Sequence, residues 1–227
     1  MADNCLLYLL LLKIAHYEPG LYEHIKSQFF YKFKDTLEFK IAVNQYYIVP
    51  DRALDKYGYI SLWNTVNVTN MDYCFSHRHG FNEKIGHWDV SNVTSMKHMF
   101  CTCLIFNQSL ENWNVSKVTD MSYMFFSNKM FNKDISKWNV SNVENMNDMF
   151  SKARRFNVNL SGWDVSNVTN MNKMFICATS FNQDLSRWDV SRVTKNDLMF
   201  HSCFAFNKQF MPNFKKRKNR YKYETDL

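Results

Sequence analysis

The sequence predicts an α/β solenoid of about six 25-residue strand–helix coils behind an N-terminal helical cap, and three observations carry that prediction. Trp63, Trp88, Trp113, Trp138, Trp163 and Trp188 recur at one fixed interval, as do Phe81, Phe106, Phe131, Phe156, Phe181 and Phe206. Each unit joins a short β-favouring stretch to apolar residues at spacings of three and four. Residues 1–54 share none of this pattern. Self-similarity at such a period marks repeat architectures, in which each unit packs only on its neighbours.

The cap comes first. Residues 1–54 hold helical apolar spacing over Leu21–Phe33 and again over Leu37–Tyr46. A lid is required there, because a first coil without a neighbour exposes its apolar ladder to water. The apolar run Leu6–Leu12 follows an acidic start and has no basic leading region. It is also too short to cross a bilayer, so it reads as a buried or partner-facing helix, not as an export signal or a transmembrane segment.

Residues 55–210 are the repeats. In one unit Leu110, Trp113 and Val115 read as strand, and Val118, Met121, Met124 and Phe125 as the buried stripe of a short helix. Thr119, with Thr69, Thr94, Thr169 and Thr194 in sister units, stands where a helix N-cap belongs. A lone strand and helix cannot close a core, so the coils stack, with parallel strands about 4.8 Å apart. Strand followed by helix favours a leucine-rich-repeat-like coil over a propeller blade, which needs four strands and roughly 40 residues. An all-β coil is the alternative, and the helical spacing of Met-x-x-Met-Phe counts against it.

Residues 211–227 form a basic tail that begins at Pro212. It concentrates Lys215, Lys216, Arg217, Lys218, Arg220 and Lys222, most of the net charge of +7, so the body is close to neutral. The tail is suited to nucleic acid or anionic lipid, and Lys215 to Lys218 also fit a nuclear import signal. A solvated terminus is the plainer reading. With 227 residues, 46% hydrophobic, and only 5 Gly and 3 Pro, the chain is built to bury a continuous core. Only Cys103 and Cys203 of the six cysteines share a repeat position, which points to thiols in a reducing, cytoplasmic setting.

The segment Phe-Asn-Gln-Asp-Leu-Ser-Arg-Trp-Asp-Val-Ser-Arg-Val-Thr, residues 181–194, with Met-x-x-Met-Phe as at residues 121–125, resembles the repeat of the BspA-like leucine-rich-repeat surface proteins. The resemblance covers roughly residues 55–210. It implies a binding role of the adhesion type, in company with bacterial surface lipoproteins and proteins of protists and large DNA viruses. A host-interaction protein of such a virus is one form of that role. The signal and lipid-anchor features of the bacterial members have no counterpart here. Asn196, Cys74 and Glu144 depart from the Met, Met and Thr of their columns.

No phosphate loop, nucleophile elbow or His-Glu-x-x-His occurs, so neither an enzyme, a cofactor nor a small-molecule substrate is expected. The Trp, Phe, Met and Asn columns read as structural, since identical residues facing a ladder are buried or bonded coil by coil. Cys74, His77, His79, Cys101 and Cys103 are a weak metal candidate, because their spacing matches no zinc signature. Variation is concentrated just before each Trp. There His87, Glu111, Asn112, Lys137 and Arg187 line up as a partner-binding stripe on the expected strand face. The expected function is a non-enzymatic scaffold for a protein partner, and the alternative is a nucleic-acid or anionic-membrane binder acting through the tail.

Overall fold

The computed structural model describes residue 10, residues 13 and 14, and residues 16–214. Leu10, Lys13, Ile14, His16 and Tyr17 are helical, and after them come α1 (Pro19–Phe29), α2 (Thr36–Ile48) and α3 (Pro50–Tyr57). Asp35 caps α2 by accepting the N–H of Glu38 at 2.9 Å, and the Glu38 carboxylate accepts the N–H of Lys34 at 2.8 Å. The hydroxyl of Tyr31 donates to the same carboxylate. The first of these bonds satisfies a donor that the helix start leaves open, and the other two fasten Glu38 to the segment before it. Pro50 sits in the first turn of α3, and Gly58 ends it with φ at 68°, a region open to glycine at little cost. Helix thus continues to Tyr57, past the boundary expected at residue 54.

Phe39, Ala42 and Val43 form the buried stripe of α2. The cap meets the first coil through aromatic edges: Phe33 and Phe39 lie 5.1 and 6.1 Å from Trp63, and Phe39 reaches Trp88 at 5.5 Å. Its polar groups stand where a preceding coil would supply them. Tyr31 O accepts the N–H of Asn64 at 2.9 Å, Phe33 O accepts the Asn67 amide at 2.9 Å, and the Thr36 hydroxyl oxygen accepts the N–H of Thr69 at 2.9 Å.

From residue 63 the chain repeats one backbone course. The N–H groups of Met71, Tyr73, Phe75 and His77 donate to the carbonyls of Ser95, Lys97, Met99 and Cys101, at 2.8 to 3.0 Å. The intervening residues close tight turns instead: Cys74 N–H reaches Met71 O, Ser76 N–H reaches Tyr73 O, and Arg78 N–H reaches Phe75 O. The same alternation recurs in the coils that follow. A single parallel bridge per coil links Asn70, Ser95, Asp120, Asn145, Asn170 and Lys195.

The helix expected over Met121–Phe125 is therefore not formed, and turns take its place. An α-helix would consume every N–H internally, whereas here every second one is free to bond the next coil. The turns require a left-handed backbone at two positions per coil. Among the described residues twelve non-glycine residues have positive φ, in two columns running from Tyr73 to Leu198 and from His77 to Ser202. Successive turns place Met96, Met99, Phe100 and Cys103 inward, so spacings of three and four appear without a helix. Thr119 is correspondingly not a helix cap. Its N–H donates to Thr94 O at 2.9 Å, as Thr169 N–H does to Glu144 O, which explains why a glutamate is accepted in that column.

The core is a set of like-on-like ladders. Trp63 and Trp88 stack at 6.2 Å with planes 8° apart, and Trp113 and Trp138 at 6.4 Å and 6°. Each indole N–H from Trp88 to Trp188 donates to a carbonyl 28 residues earlier, at 3.0 to 3.1 Å. Two phenylalanines per coil pair face to face, as Phe100 with Phe106 at 4.2 Å, and each stacks on the next coil. At the far end a 3₁₀ turn, Lys208–Phe210, folds back so that Phe210 O accepts the N–H of Leu185 at 3.0 Å.

Candidate functional site

The variable positions before each Trp do not lie on a strand. The N–H of Trp113, Trp138 and Trp188 donates back to the carbonyl of Leu110, Ile135 and Leu185 at 3.0 to 3.1 Å, so the two residues between form the tip of a β-turn. Glu111, Asn112, Lys137 and Arg187 occupy such tips and are exposed. The tips stack coil on coil, and Lys137 reaches back to Glu111 at 2.9 Å in an ion pair whose members are 73% and 42% exposed. An exposed pair contributes little to stability, so the two charges remain open to a partner.

His87 departs from this row. It is half-buried, with its ring 6.3 Å from and nearly perpendicular to that of Phe30, so the cap occupies the first tip. The neighbouring Gly86 is required by close approach: a Cβ there would lie 2.4 Å from the carbonyl oxygen of Ser109. The usable stripe thus begins at Glu111.

The five thiol and imidazole groups Cys74, His77, His79, Cys101 and Cys103 are not gathered into a ligand set. Cys103 donates to Phe75 O at 2.9 Å inside the core, and His77 Nδ1 engages the Thr102 hydroxyl at 2.9 Å on the surface. Burial pushes the thiols of Cys74 and Cys103 up to about 12, away from the thiolate that a metal or an electrophile needs. Among the described residues no group of three His, Cys, Asp or Glu is arranged to hold a metal ion. Cys74, Cys101, Cys103, Cys177 and Cys203 are all free thiols. The basic residues Lys215, Lys216, Arg217, Lys218, Arg220 and Lys222 lie outside the described residues.

Polar columns hold the coils in register. Asn82, Asn107, Asn132, Asn157 and Asn182 each accept, through the side-chain oxygen, the N–H of the Asn in the next coil, at 2.9 to 3.0 Å. Asp89, Asn114, Asn139, Asp164 and Asp189 each accept the N–H two residues on, which accounts for the Asp/Asn-Val-Ser element after each Trp.

Two overlapping stretches, residues 50–157 and 106–214, match the family described as Mycoplasma protein of unknown function, DUF285. The chain belongs to this family. A family pattern that fits one chain in two overlapping registers is the behaviour of a repeat protein, in keeping with the coil-by-coil bonding above. Neither the curated proteins nor the solved structures hold a significant match to the chain. Among the described residues no helix is long and apolar enough to cross a membrane.

One concavity escaped sequence reasoning. A cleft of about 240 Å³ opens between the end of α2 and the first coil, lined by Tyr46, Tyr47, Arg78, His79 and Glu83. The Arg78 guanidinium lies 4.0 Å from the centre of the Tyr47 ring and the Tyr46 hydroxyl donates to Glu83 at 3.2 Å, while the buried Tyr47 hydroxyl has no hydrogen-bond partner among the described residues. The sequence gives no sign of it, since its two walls, Tyr46 and Tyr47 on one side and Arg78 to Glu83 on the other, come from distant segments without a shared pattern.

Proposed function

We propose that the chain is a solenoid scaffold of the leucine-rich-repeat-like kind, related to the BspA-like surface proteins, that binds a protein partner in adhesion or host interaction and performs no catalysis. One observation carries this reading. The recurrent Trp, Phe, Val, Met and Asn side chains serve packing or coil registry, while sequence varies where stacked turn tips meet solvent, at Glu111, Asn112, Lys137, Ser161, Gly162 and Arg187. A linear row of unlike polar groups on a rigid support suits recognition of an extended protein surface. Burial holds the thiols of Cys74, Cys103 and Cys203 protonated, which disfavours their use as nucleophiles.

The test is capture of proteins from native cells by the immobilised full chain. Proteins retained by wild type and by a chain lacking residues 215–222, but lost by the E111A/N112A/K137A/R187A variant, support the stripe. Loss on tail deletion, with binding that falls steeply with salt, overturns it in favour of a nucleic-acid or anionic-membrane binder acting through the tail.

A further inference from the structure

A second surface differs from the stripe in chemistry and place. The turns at residues 76–81, 101–106, 126–131, 151–156, 176–181 and 201–206 contain no Asp or Glu. They are held in line by bonds from His77, Thr102, Ser127, Lys152 and Cys177 to the carbonyls of Cys101, Phe126, Ser151, Ile176 and His201, at 2.7 to 2.9 Å. At the spacing of paired strands the five steps make an edge roughly 24 Å long.

Lys129, Lys152, Arg154 and Arg155 are exposed in the middle of that edge. Among the described residues none of them is in an ion pair with a carboxylate. Large apolar side chains flank them: Ile105 is 49% exposed on one side and Phe204 83% exposed on the other. Water is a poor environment for a phenylalanine at that exposure. The body as a whole is close to neutral, so the separation of charge onto one edge is a local property.

We propose that this edge docks on an anionic phospholipid surface. Clustered cations meet the headgroups while Ile105 and Phe204 enter the boundary with the acyl chains. Single-stranded nucleic acid would also answer the charge. However, it is bound by rows of successive stacking rings, whereas the side chains beside the cations here are the aliphatic Leu104, Ile105 and Met130, with Phe204 the one large exposed ring, at the far end of the edge. The proposal concerns a face other than the turn-tip stripe and stands apart from it.

The experiment is vesicle flotation of the full chain, with vesicles of equal parts phosphatidylserine and phosphatidylcholine against phosphatidylcholine alone. Wild type is expected to float with the anionic vesicles only. R154Q/R155Q is expected to weaken binding at least about tenfold. I105S/F204S is expected to remove the part of the binding that survives high salt. Unchanged melting temperatures show that both variants fold. Equal flotation of wild type and R154Q/R155Q overturns the proposal, as does no flotation at all. Loss of flotation only when the six basic residues between 215 and 222 are changed to Gln would assign it to the tail. Tighter, Arg154- and Arg155-dependent binding to single-stranded RNA would assign the edge to nucleic acid.

Discussion

The side-chain oxygen of Asn132 accepts the backbone N–H of Asn157 across a coil boundary at 2.9 Å, and Asn132 in turn donates its own N–H to the side chain of Asn107 at 3.0 Å. Each amide is thus both fed and feeding, which ties registry to one residue type. N132A leaves the Asn157 N–H without a partner and should cost about 1 kcal/mol in urea unfolding. N132D keeps an acceptor at the same place and should recover most of that loss. Equal destabilisation by both variants would mean that the ladder bond contributes nothing.

Lys173 has φ at 55° and an exposed side chain, while its N–H holds the next coil through Asp197 O at 2.9 Å. A side chain in that region costs roughly 1 kcal/mol relative to glycine. K173G should therefore stabilise the protein, by somewhat less than that figure, because glycine also loosens the unfolded chain. K173A should be neutral and K173V destabilising, since branching at Cβ crowds the left-handed backbone. Thermal melts of the three variants check the order.

These positions also show where the sequence was legible and where it was not. The columns of Trp, Phe and Val announced burial and stacking, because the fixed interval survives whatever local path the chain takes; Trp113 and Trp138 are 3% and 4% exposed. The path itself was misread. Tyr73, His98, Thr102 and Asp148 adopt positive φ without a glycine to signal it, and Met121, Met124 and Phe125 give a helical spacing through consecutive turns. Long-range bonds from alternate N–H groups outweigh local propensity there, and they are invisible in a single repeat. Of the candidate stripe, Glu111, Asn112, Lys137 and Arg187 were legible as variation within a repeat. His87 was lost to Phe30, a neighbour far away in the sequence.

The indole N–H of Trp138 donates to Leu110 O at 3.0 Å inside the core. W138F keeps an aromatic ring in the stack but removes the cross-coil donor, leaving Leu110 O with the Trp113 N–H of its own turn alone, and opens space beside it. It should cost about 2–4 kcal/mol. W138A removes the stack as well and should cost about 3–5 kcal/mol. A W138F midpoint in urea within error of wild type would show that the bond is not needed to hold adjacent coils.

The start of α2 should respond to pH from both sides. The Tyr31 hydroxyl and then the Lys34 N–H hold the Glu38 carboxyl below its usual range, while the same contact pushes Tyr31 up to about 12. Between the lowered folded value and the unfolded value near 4.3, the unfolded chain binds more protons, so this contribution is complete above that window and fades as acid protonates Glu38. For Tyr31 the order reverses: the contribution is complete below pH about 10 and is lost as pH rises towards the folded value. Because the pair is only half-buried, solvent screening keeps its contribution to about 1 kcal/mol or less. E38Q retains an acceptor but not the charge. The stability difference between wild type and E38Q, followed by denaturant unfolding across pH, should therefore be flat near neutrality and shrink at both ends. A difference that stays constant from acid to alkali would show that the carboxylate's charge plays no part in fastening the cap.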